Sequence, residues 1–427
     1  MKKVAIATLG CKTNQFESAA ITEQFTTAGY CIVPFTEAAD IYVVNSCTVT
    51  ARTDSETRRL IRRAHRLNPT ARIVATGCYA QVSPDELSRM PEVDVVLGNI
   101  EKLDTVLLSE SNENLIADSA MEGSFRPLQL TSFAEHTRAF LQVQNGCNTF
   151  CAYCIVPFAR GRSRSVAEEE VLDGIRRLTA NGFREVVLTG IHLGAYGLDL
   201  ESQHSLVGLI RRIIAETDIS RLRLGSVDPN EFTPELLTLC ETAPQICHHF
   251  HIPLQSGSDS VLQRMGRPYT TGFFRGLMET VIAGMPDAFI GTDIIAGFPG
   301  ETEEEFETTC RFIESLPFAD LHVFPYSKRP KTRAADMPDH VSPAMIKERA
   351  ARLRTIAERK KTAFLQKAVA TELNVLVQQC DQSTGMVRGI SSNYIQVSFP
   401  GVVTDINTEC RVIVTGINKE LAVCRLT

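Results

Sequence analysis

A chain of 427 residues that is 44% hydrophobic and 22% charged is a folded protein of two or three domains, too long for one ordinary core. Its net charge of −6 excludes a globally basic nucleic-acid binder, so any RNA contact must be a local basic surface. No stretch approaches the length needed to span a bilayer, and the opening apolar run stops at Gly10 without a small-residue cleavage site. That run reads as a strand and not as a signal peptide, and a cytoplasmic location is the default.

In chain order, apolar runs at 4–8, 41–44, 73–76 and 93–97 predict short, fully buried strands, with helical patterns at 17–27, 55–67 and 84–90 between them. Such alternation predicts a doubly wound parallel α/β sheet. Residues 109–137 are polar and aperiodic and read as a connection. Strands follow at 139–144, 185–189, 221–225, 249–253, 289–295 and 320–324, with helices at 167–181, 206–217, 234–242, 259–265, 271–283 and 302–316. Six βα units suit a full or partial barrel of the TIM type. A charged helix from Pro343 to about Ala368 closes that domain. Period-two strands at 373–378, 385–390, 394–399, 409–415 and 420–424 then predict a small C-terminal β-barrel. The expected domains are 1–120, 136–365 and 366–427.

Thirteen cysteines without an export signal favour metal or catalysis over disulfides. Cys31, Cys240, Cys247, Cys310, Cys380, Cys410 and Cys424 read as small buried hydrophobes. The other six form two sets of three. Cys147, Cys151 and Cys154, in Cys147-Asn148-Thr149-Phe150-Cys151-Ala152-Tyr153-Cys154, follow the first barrel strand, on the face where barrel active sites lie. Three thiolates can hold three irons of a cubane cluster and leave the fourth iron open. A zinc site would want a fourth ligand, and by spacing neither His136 nor His192 completes one. Cys11, Cys47 and Cys78 lie 36 and 31 residues apart, yet each closely follows a predicted strand of the first sheet. Parallel strands bring those positions to one edge, which suggests a second open cluster, with Gly10 and Gly77 allowing close backbone approach.

The CxxxCxxC pattern with an aromatic before its last cysteine resembles the radical S-adenosylmethionine (SAM) superfamily. That resemblance implies that the open iron chelates SAM, which one-electron reduction cleaves to a 5′-deoxyadenosyl radical. It also implies SAM contacts by Tyr153, by Thr189-Gly190 (which lacks the family's usual acidic residue), by Gln255 and Arg267 towards ribose and carboxylate, and by Asp293 towards ribose. With the N-terminal triplet and a C-terminal β-barrel of the TRAM type, the whole chain resembles the methylthiotransferases. The segments Gly10-Cys11-Lys12-Thr13-Asn14-Gln15, Pro157-Phe158-Ala159-Arg160-Gly161-Arg162 and Leu188-Thr189-Gly190-Ile191-His192-Leu193-Gly194 look most like one branch. That branch acts on N6-threonylcarbamoyladenosine beside the tRNA anticodon. The isopentenyladenosine branch typically has Gln-Met-Asn after its first cysteine, and the ribosomal-protein branch Pro-Lys-Asn. The resemblance implies two [4Fe-4S] clusters, SAM and tRNA as partners, and an electron donor and a sulfur source that the sequence does not identify. It implies a transferase in which one SAM methylates a cluster-held sulfur and a second makes the radical that abstracts hydrogen from C2 of the adenine.

The predicted helix 55–67 carries Arg58, Arg59, Arg62, Arg63 and Arg66 against Glu56 as its only acid, so Arg58, Arg62 and Arg66 are candidate contacts to the RNA backbone. Arg160 and Arg162 form a second basic candidate, with seating SAM or tying the barrel to the first domain as alternative roles. The tail from Gln366 carries five Lys/Arg and five Asp/Glu, so recognition there would be by shape. Two other readings stand beside this one: the same chemistry on isopentenyladenosine or a ribosomal protein side chain, and an iron–sulfur electron carrier or zinc RNA-binding protein. A six-unit barrel speaks against the last.

Overall fold

The computed structural model describes residues 1–109, 111, 113–117, 137–201 and 204–427. Most of the predicted connection 109–137 lies outside them. Its described part is not a free linker: Leu115 pairs with Leu97 and Asn114 accepts a hydrogen bond from the Val96 amide, so the segment adds to the sheet edge.

The first domain runs β1 (Lys3–Thr8), α1 (Lys12–Thr27), β2 (Cys31–Ile32), β3 (Ile41–Ser46), α2 (Ala51–Leu67), β4 (Arg72–Gly77), α3 (Cys78–Val82), α4 (Pro84–Ser88), β5 (Val95–Leu97) and α5 (Thr105–Ser109). The strands form one parallel sheet in the order β2-β1-β3-β4-β5. Strand alternation divides its apolar residues between two faces. Val4, Ile41, Val43 and Val74 pack with Ile21 and Phe25 of α1, and Tyr42, Val44, Ile73 and Ala75 pack with Ile61 and Ala64 of α2. Helix α1 starts five residues before the expected position. Its first turns bury Thr13, Asn14, Glu17 and Ser18, polar residues that carry no hydrophobic period. Helix α2 starts four residues early, capped by the Thr50 side chain on the Thr53 amide, and so gains Asp54 as a second acid.

The second domain contains β6 (Arg138–Gln142), β7 (Gln144–Asn145), α6 (Val156–Arg160), β8 (Arg164–Ser165), α7 (Glu168–Ala180), β9 (Glu185–Thr189), α8 (Leu206–Glu216), β10 (Arg221–Leu224), α9 (Pro234–Thr242), β11 (His249–His251), α10 (Asp259–Met265), α11 (Thr271–Gly284), β12 (Phe289–Ala296), α12 (Glu303–Ser315), β13 (Asp320–Pro325) and α13 (Pro343–Lys367). Six parallel strands follow one another as β6-β9-β10-β11-β12-β13, with single bridges Leu222–Ile246 and Ser226–His251 joining two three-stranded halves. No pairing closes β13 onto β6 among the described residues, so the barrel is partial. The first domain lies across that seam. Phe16 and Ala20 of α1 enter the barrel's own core, and Asp54 of α2 pairs at 2.6 Å with Arg329, just past β13.

The tail forms β14 (Glu372–Asp381), β15 (Met386–Ser391), β16 (Gln396–Pro400), β17 (Glu409–Asn418) and β18 (Leu421–Leu426), a closed barrel in the order β14-β15-β16-β18-β17. It sits under the N-terminal ends of the large barrel's strands. There Glu185 is fully buried between Arg221 and Arg223, whose remaining donors reach the carbonyls of Ile390, Ser391 and Ser392. Tyr394 stacks on His249 and lies under the guanidinium of Arg223. Cys31, Cys380 and Cys410 are only half-buried, against expectation, because they sit on an edge strand or at the rim of the small barrel. No helix among the described residues is long and apolar enough to cross a membrane.

Glu17 of α1 holds the first joint. It is buried between Arg160 (2.8 Å) and Lys102 (2.6 Å), and these cations overcome burial to hold its carboxyl down at about 2. A depressed carboxylate stabilises the fold above its ordinary value near 4.5 and loses that contribution as pH falls towards about 2. The thermal midpoint should therefore drop through that window. Glu17→Ala should cost about 3–5 kcal/mol by stranding two buried cations, while Glu86→Ala, which removes a half-exposed partner of Arg58, should cost about 1 kcal/mol or less. Thermal melts of the three proteins compare them directly.

Candidate active site

The loop carrying Cys147, Cys151 and Cys154 leaves the C-terminal end of the first barrel strand and is tied down from several sides. Ala152 donates to the Met265 carbonyl and accepts from the Ala334 amide, both at 2.8 Å, and the Cys147 amide donates to Gly161 at 3.1 Å. Gly146 has φ +74°, and a side chain there would meet the Arg162 carbonyl at 1.8 Å, so only glycine permits this approach. Arg267 donates to Cys151 Sγ at 3.1 Å. His192 Nδ1 lies 3.7 Å from Cys147 Sγ, and its Nε2 is 2.6 Å from Glu231. Burial alone would raise the Cys147 thiol, but hydrogen bonds from His192 and Thr149 outweigh it and lower the thiol below its usual value. Cys154 is pushed up to about 12 by burial and by the neighbouring Cys151.

Cys11, Cys47 and Cys78 follow β1, β3 and β4 and converge as the parallel register requires. Gly10 (φ +107°) brings the chain so close that an added Cβ would lie 2.7 Å from Cys47 Cβ, and at Gly77 (φ +97°) it would lie 2.3 Å from the Ser46 carbonyl. Asn14 joins two of these loops, donating to the carbonyls of Leu9 at 2.8 Å and Ser46 at 3.0 Å. Burial and the adjacent Cys78 and Cys11 push the Cys47 thiol up to about 12. The charge of Arg160 acts on Cys78 and Cys11. The two triplets are neighbours: Cys78 and Val82 share a buried apolar cluster with Ile155, the residue after Cys154, and with Ala159.

Six thiols in two sets suit iron–sulfur clusters better than single ions. Four sulfurs around one zinc at about 2.3 Å lie about 3.8 Å apart. Among the described residues the three-ligand set drawn within 4.8 Å is instead His251, Asp293 and His322. Neither cysteine triplet is drawn that tightly, so neither has the compactness of a single-zinc site. Spacing alone sets His192 apart from the cysteines. The structure corrects this, since the β9–α8 connection returns it to Cys147, with its Nε2 committed to Glu231.

The predicted SAM contacts spread around the barrel lumen. Thr189 ends β9 buried, its carbonyl taken by the Val143 amide, and Gly190 passes so close to Gln144 that a Cβ would sit 2.9 Å from Oε1. Gln255 is buried with φ +69°. Tyr153 packs against the buried apolar cluster that includes Ala152, Val261 and Met265. Asp293 accepts from His251 at 2.9 Å and lies 3.2 Å from His322, and these hydrogen bonds outweigh burial to hold its carboxyl well below the usual range. Arg267 is paired with Asp228 at 2.8 Å and bonded to Tyr269 and Cys151, so it braces the cysteine loop.

Of the basic candidates, Arg62, Arg66 and Arg162 are exposed. Arg160 is not: it is 1% exposed and bonded to Glu17, Asn14 and Asn145, which excludes it as an RNA contact and makes it the tie between the domains. Arg58 turns inward to the Tyr79 hydroxyl and to Glu86 at 2.8 Å, anchoring α2. Asp228 and Glu231 escape sequence reasoning, although their place just beyond β10, at the C-terminal face of the barrel, is the signal that finds them. Glu17 and Lys102 carry no such signal.

Residues 3–98 match the Uncharacterized protein family UPF0004 and residues 141–313 the Radical SAM superfamily. The chain is 38% identical to the Threonylcarbamoyladenosine tRNA methylthiotransferase MtaB of Bacillus subtilis over 94% of this chain and 91% of that one. It is 34% identical to the tRNA-2-methylthio-N(6)-dimethylallyladenosine synthase of Pelobacter propionicus over 93% of this chain and 92% of that one. The radical S-adenosylmethionine methyltransferase TsrM of Kitasatospora setae shares the fold at TM-score 0.56 and 16% identity, over 78% of this chain and 75% of that one.

Gly77→Ala should force the loops of Cys47 and Cys78 apart. The expected outcome is a lower melting temperature together with faster alkylation of both thiols by iodoacetamide in the metal-free protein, read by peptide mass spectrometry. Unchanged labelling would show that the close approach at Gly77 does not hold the triplet.

Proposed function

The chain belongs to the radical SAM methylthiotransferases, and from that premise we propose that it converts N6-threonylcarbamoyladenosine beside the tRNA anticodon to its 2-methylthio derivative. The observation that carries this reading is the end-to-end match to relatives named for that substrate. Lys12-Thr13-Asn14, where the isopentenyladenosine branch has Gln-Met-Asn, supports it.

Radical SAM membership implies SAM and one [4Fe-4S] cluster, and Cys147, Cys151 and Cys154 would hold that cluster. Cys11, Cys47 and Cys78 would hold a second. Bound there, such clusters would supply one-electron reduction of SAM and a sulfur for C2 of adenine, whose C–H bond is beyond acid–base chemistry. The chain's own part is to set charge, position and dryness. Arg267 donates a hydrogen bond to Cys151 Sγ, and Arg160 puts its charge beside Cys11 and Cys78. His192, clamped by Glu231, holds a proton towards Cys147. Ile155, Ala159 and Val82 keep water from between the triplets. Tyr153, Thr189, Gly190, Gln255 and Asp293 would line the SAM site. Arg62, Arg66 and Arg162 would meet the tRNA backbone, with the small C-terminal barrel recognising shape. A tRNA substrate places the enzyme in the cytoplasm, with an electron donor and a sulfur source as further partners.

Anaerobic reconstitution should load about eight irons per chain. Replacing either cysteine triplet by alanine should leave about four, and only loss of Cys147, Cys151 and Cys154 should abolish SAM cleavage. Nucleosides from a deletion strain should lack methylthio-threonylcarbamoyladenosine alone; loss of methylthio-isopentenyladenosine instead would overturn the substrate. Arg62→Glu combined with Arg66→Glu should weaken tRNA binding uniformly and reduce the slope of log K against log salt by about 2.

A further inference from the structure

Lys12 follows Cys11 directly and opens α1, the helix laid across the barrel's seam. Its side chain is half-buried in the space between the first domain and the barrel, within reach of the charges of Arg223, Arg138 and Glu185, and it acts in turn on His249 and His322. Among the described residues its ammonium has no hydrogen bond or ion pair. The surroundings are rich in positive charge. Arg138, Arg221 and Arg223 share the single buried carboxylate of Glu185, and the further acid, Glu409, is 3.9 Å from Arg221 at the edge of the joint. His249 is buried and held well below its usual value, by burial first and then by Arg223 and Lys12. A lumen floored by excess cations and facing an unpaired ammonium is built for an anion.

One wall of that lumen adds a donor. His322 on β13 turns Nδ1 to Asp293, whose hydrogen bond favours the imidazolium in which Nε2 also carries a proton to donate, and the side chain is 60% exposed. The threonylcarbamoyl group carries one carboxylate, whereas an isopentenyl group carries none. We propose that Lys12, assisted by His322, forms the subsite that receives the carboxylate of the N6 substituent and so selects this substrate over N6-alkyl adenosines. The inference rests on the substrate reading above. It assigns a role to the residue after the first cysteine, because Lys12 adjoins Cys11, where C2 of the base must arrive. From there its side chain is placed to meet the N6 substituent, which flanks N1 on the same Watson–Crick edge as C2.

The test uses reconstituted holoenzyme and an anticodon stem-loop carrying either threonylcarbamoyladenosine or its methyl ester. Parent enzyme should lose about 10- to 100-fold in kcat/KM on the ester, the range expected for a hydrogen bond to a charged group. Lys12→Gln should show that loss on the acid already, with no further loss on the ester, and Lys12→Arg should recover part of it. Stem-loop affinity of the metal-free proteins should follow the same pattern. Equal losses on acid and ester in Lys12→Gln would point to a phosphate contact or a damaged site and overturn the proposal, as would a parent that treats acid and ester alike. If Lys12→Gln fails to load iron, His322→Gln carries the same comparison with a smaller loss. A parent inactive on both stem-loops would instead refute the substrate reading.

Discussion

The guanidinium of Arg160 sits where two domains and both cysteine triplets meet. It leaves α6, six residues after Cys154, and ends against Glu17 and Asn14 of the first domain. A charge so deeply buried must be neutralised and fully bonded, so the positions of Glu17, Asn14 and Asn145 are coupled to it. Asn14 in turn grips the carbonyls of Leu9 and Ser46, which precede Cys11 and Cys47. The placement of one triplet relative to the other is thus transmitted through one arginine and one asparagine, in directional bonds.

The same device recurs at each joint. Asp54 and Arg329 tie α2 to the segment beyond β13, and Glu185 with Arg221 and Arg223 seats the small barrel. Within each domain the core is mainly apolar. At the first two joints a buried carboxylate of one domain meets an arginine of the other, and at the third the Glu185-bound arginines of the large barrel meet main-chain carbonyls of the small one. Apolar surfaces would hold the domains together but permit sliding, whereas a bidentate ion pair fixes angle as well as distance. A reaction that passes a radical and a sulfur between two centres and one base requires the second kind of joint.

Much of this is legible in the sequence where burial is apolar. Strand β9 and helices α9 and α10 fall on their expected limits, because turn residues and hydrophobic period agree there. The two cysteine triplets stand out because each thiol follows a strand. What escapes is polar burial. The first turns of α1 read as a loop because Asn14 and Glu17 answer to Arg160, over a hundred residues away, and no local pattern encodes that. Arg58 looks in sequence like an RNA-facing cation, and for Arg160 the tie to the first domain is one of three readings; their acids, Glu86 and Glu17, come from other elements. Spacing sets His192 aside, although a βα unit of a barrel brings distant residues back to the same rim.

The seat of the small barrel has a bearing on how such a chain can change over time. Arg221 and Arg223 grip the carbonyls of Ile390, Ser391 and Ser392, and those acceptors belong to the main chain. Substituting the side chains at these three positions leaves the acceptors in place, so this part of the coupling reads the path of the backbone and is blind to its sequence. The outer face of the small barrel is therefore free to drift, or to be replaced by that of another barrel of like geometry, without refitting the catalytic body above it. Recognition and catalysis can then be inherited separately within one polypeptide.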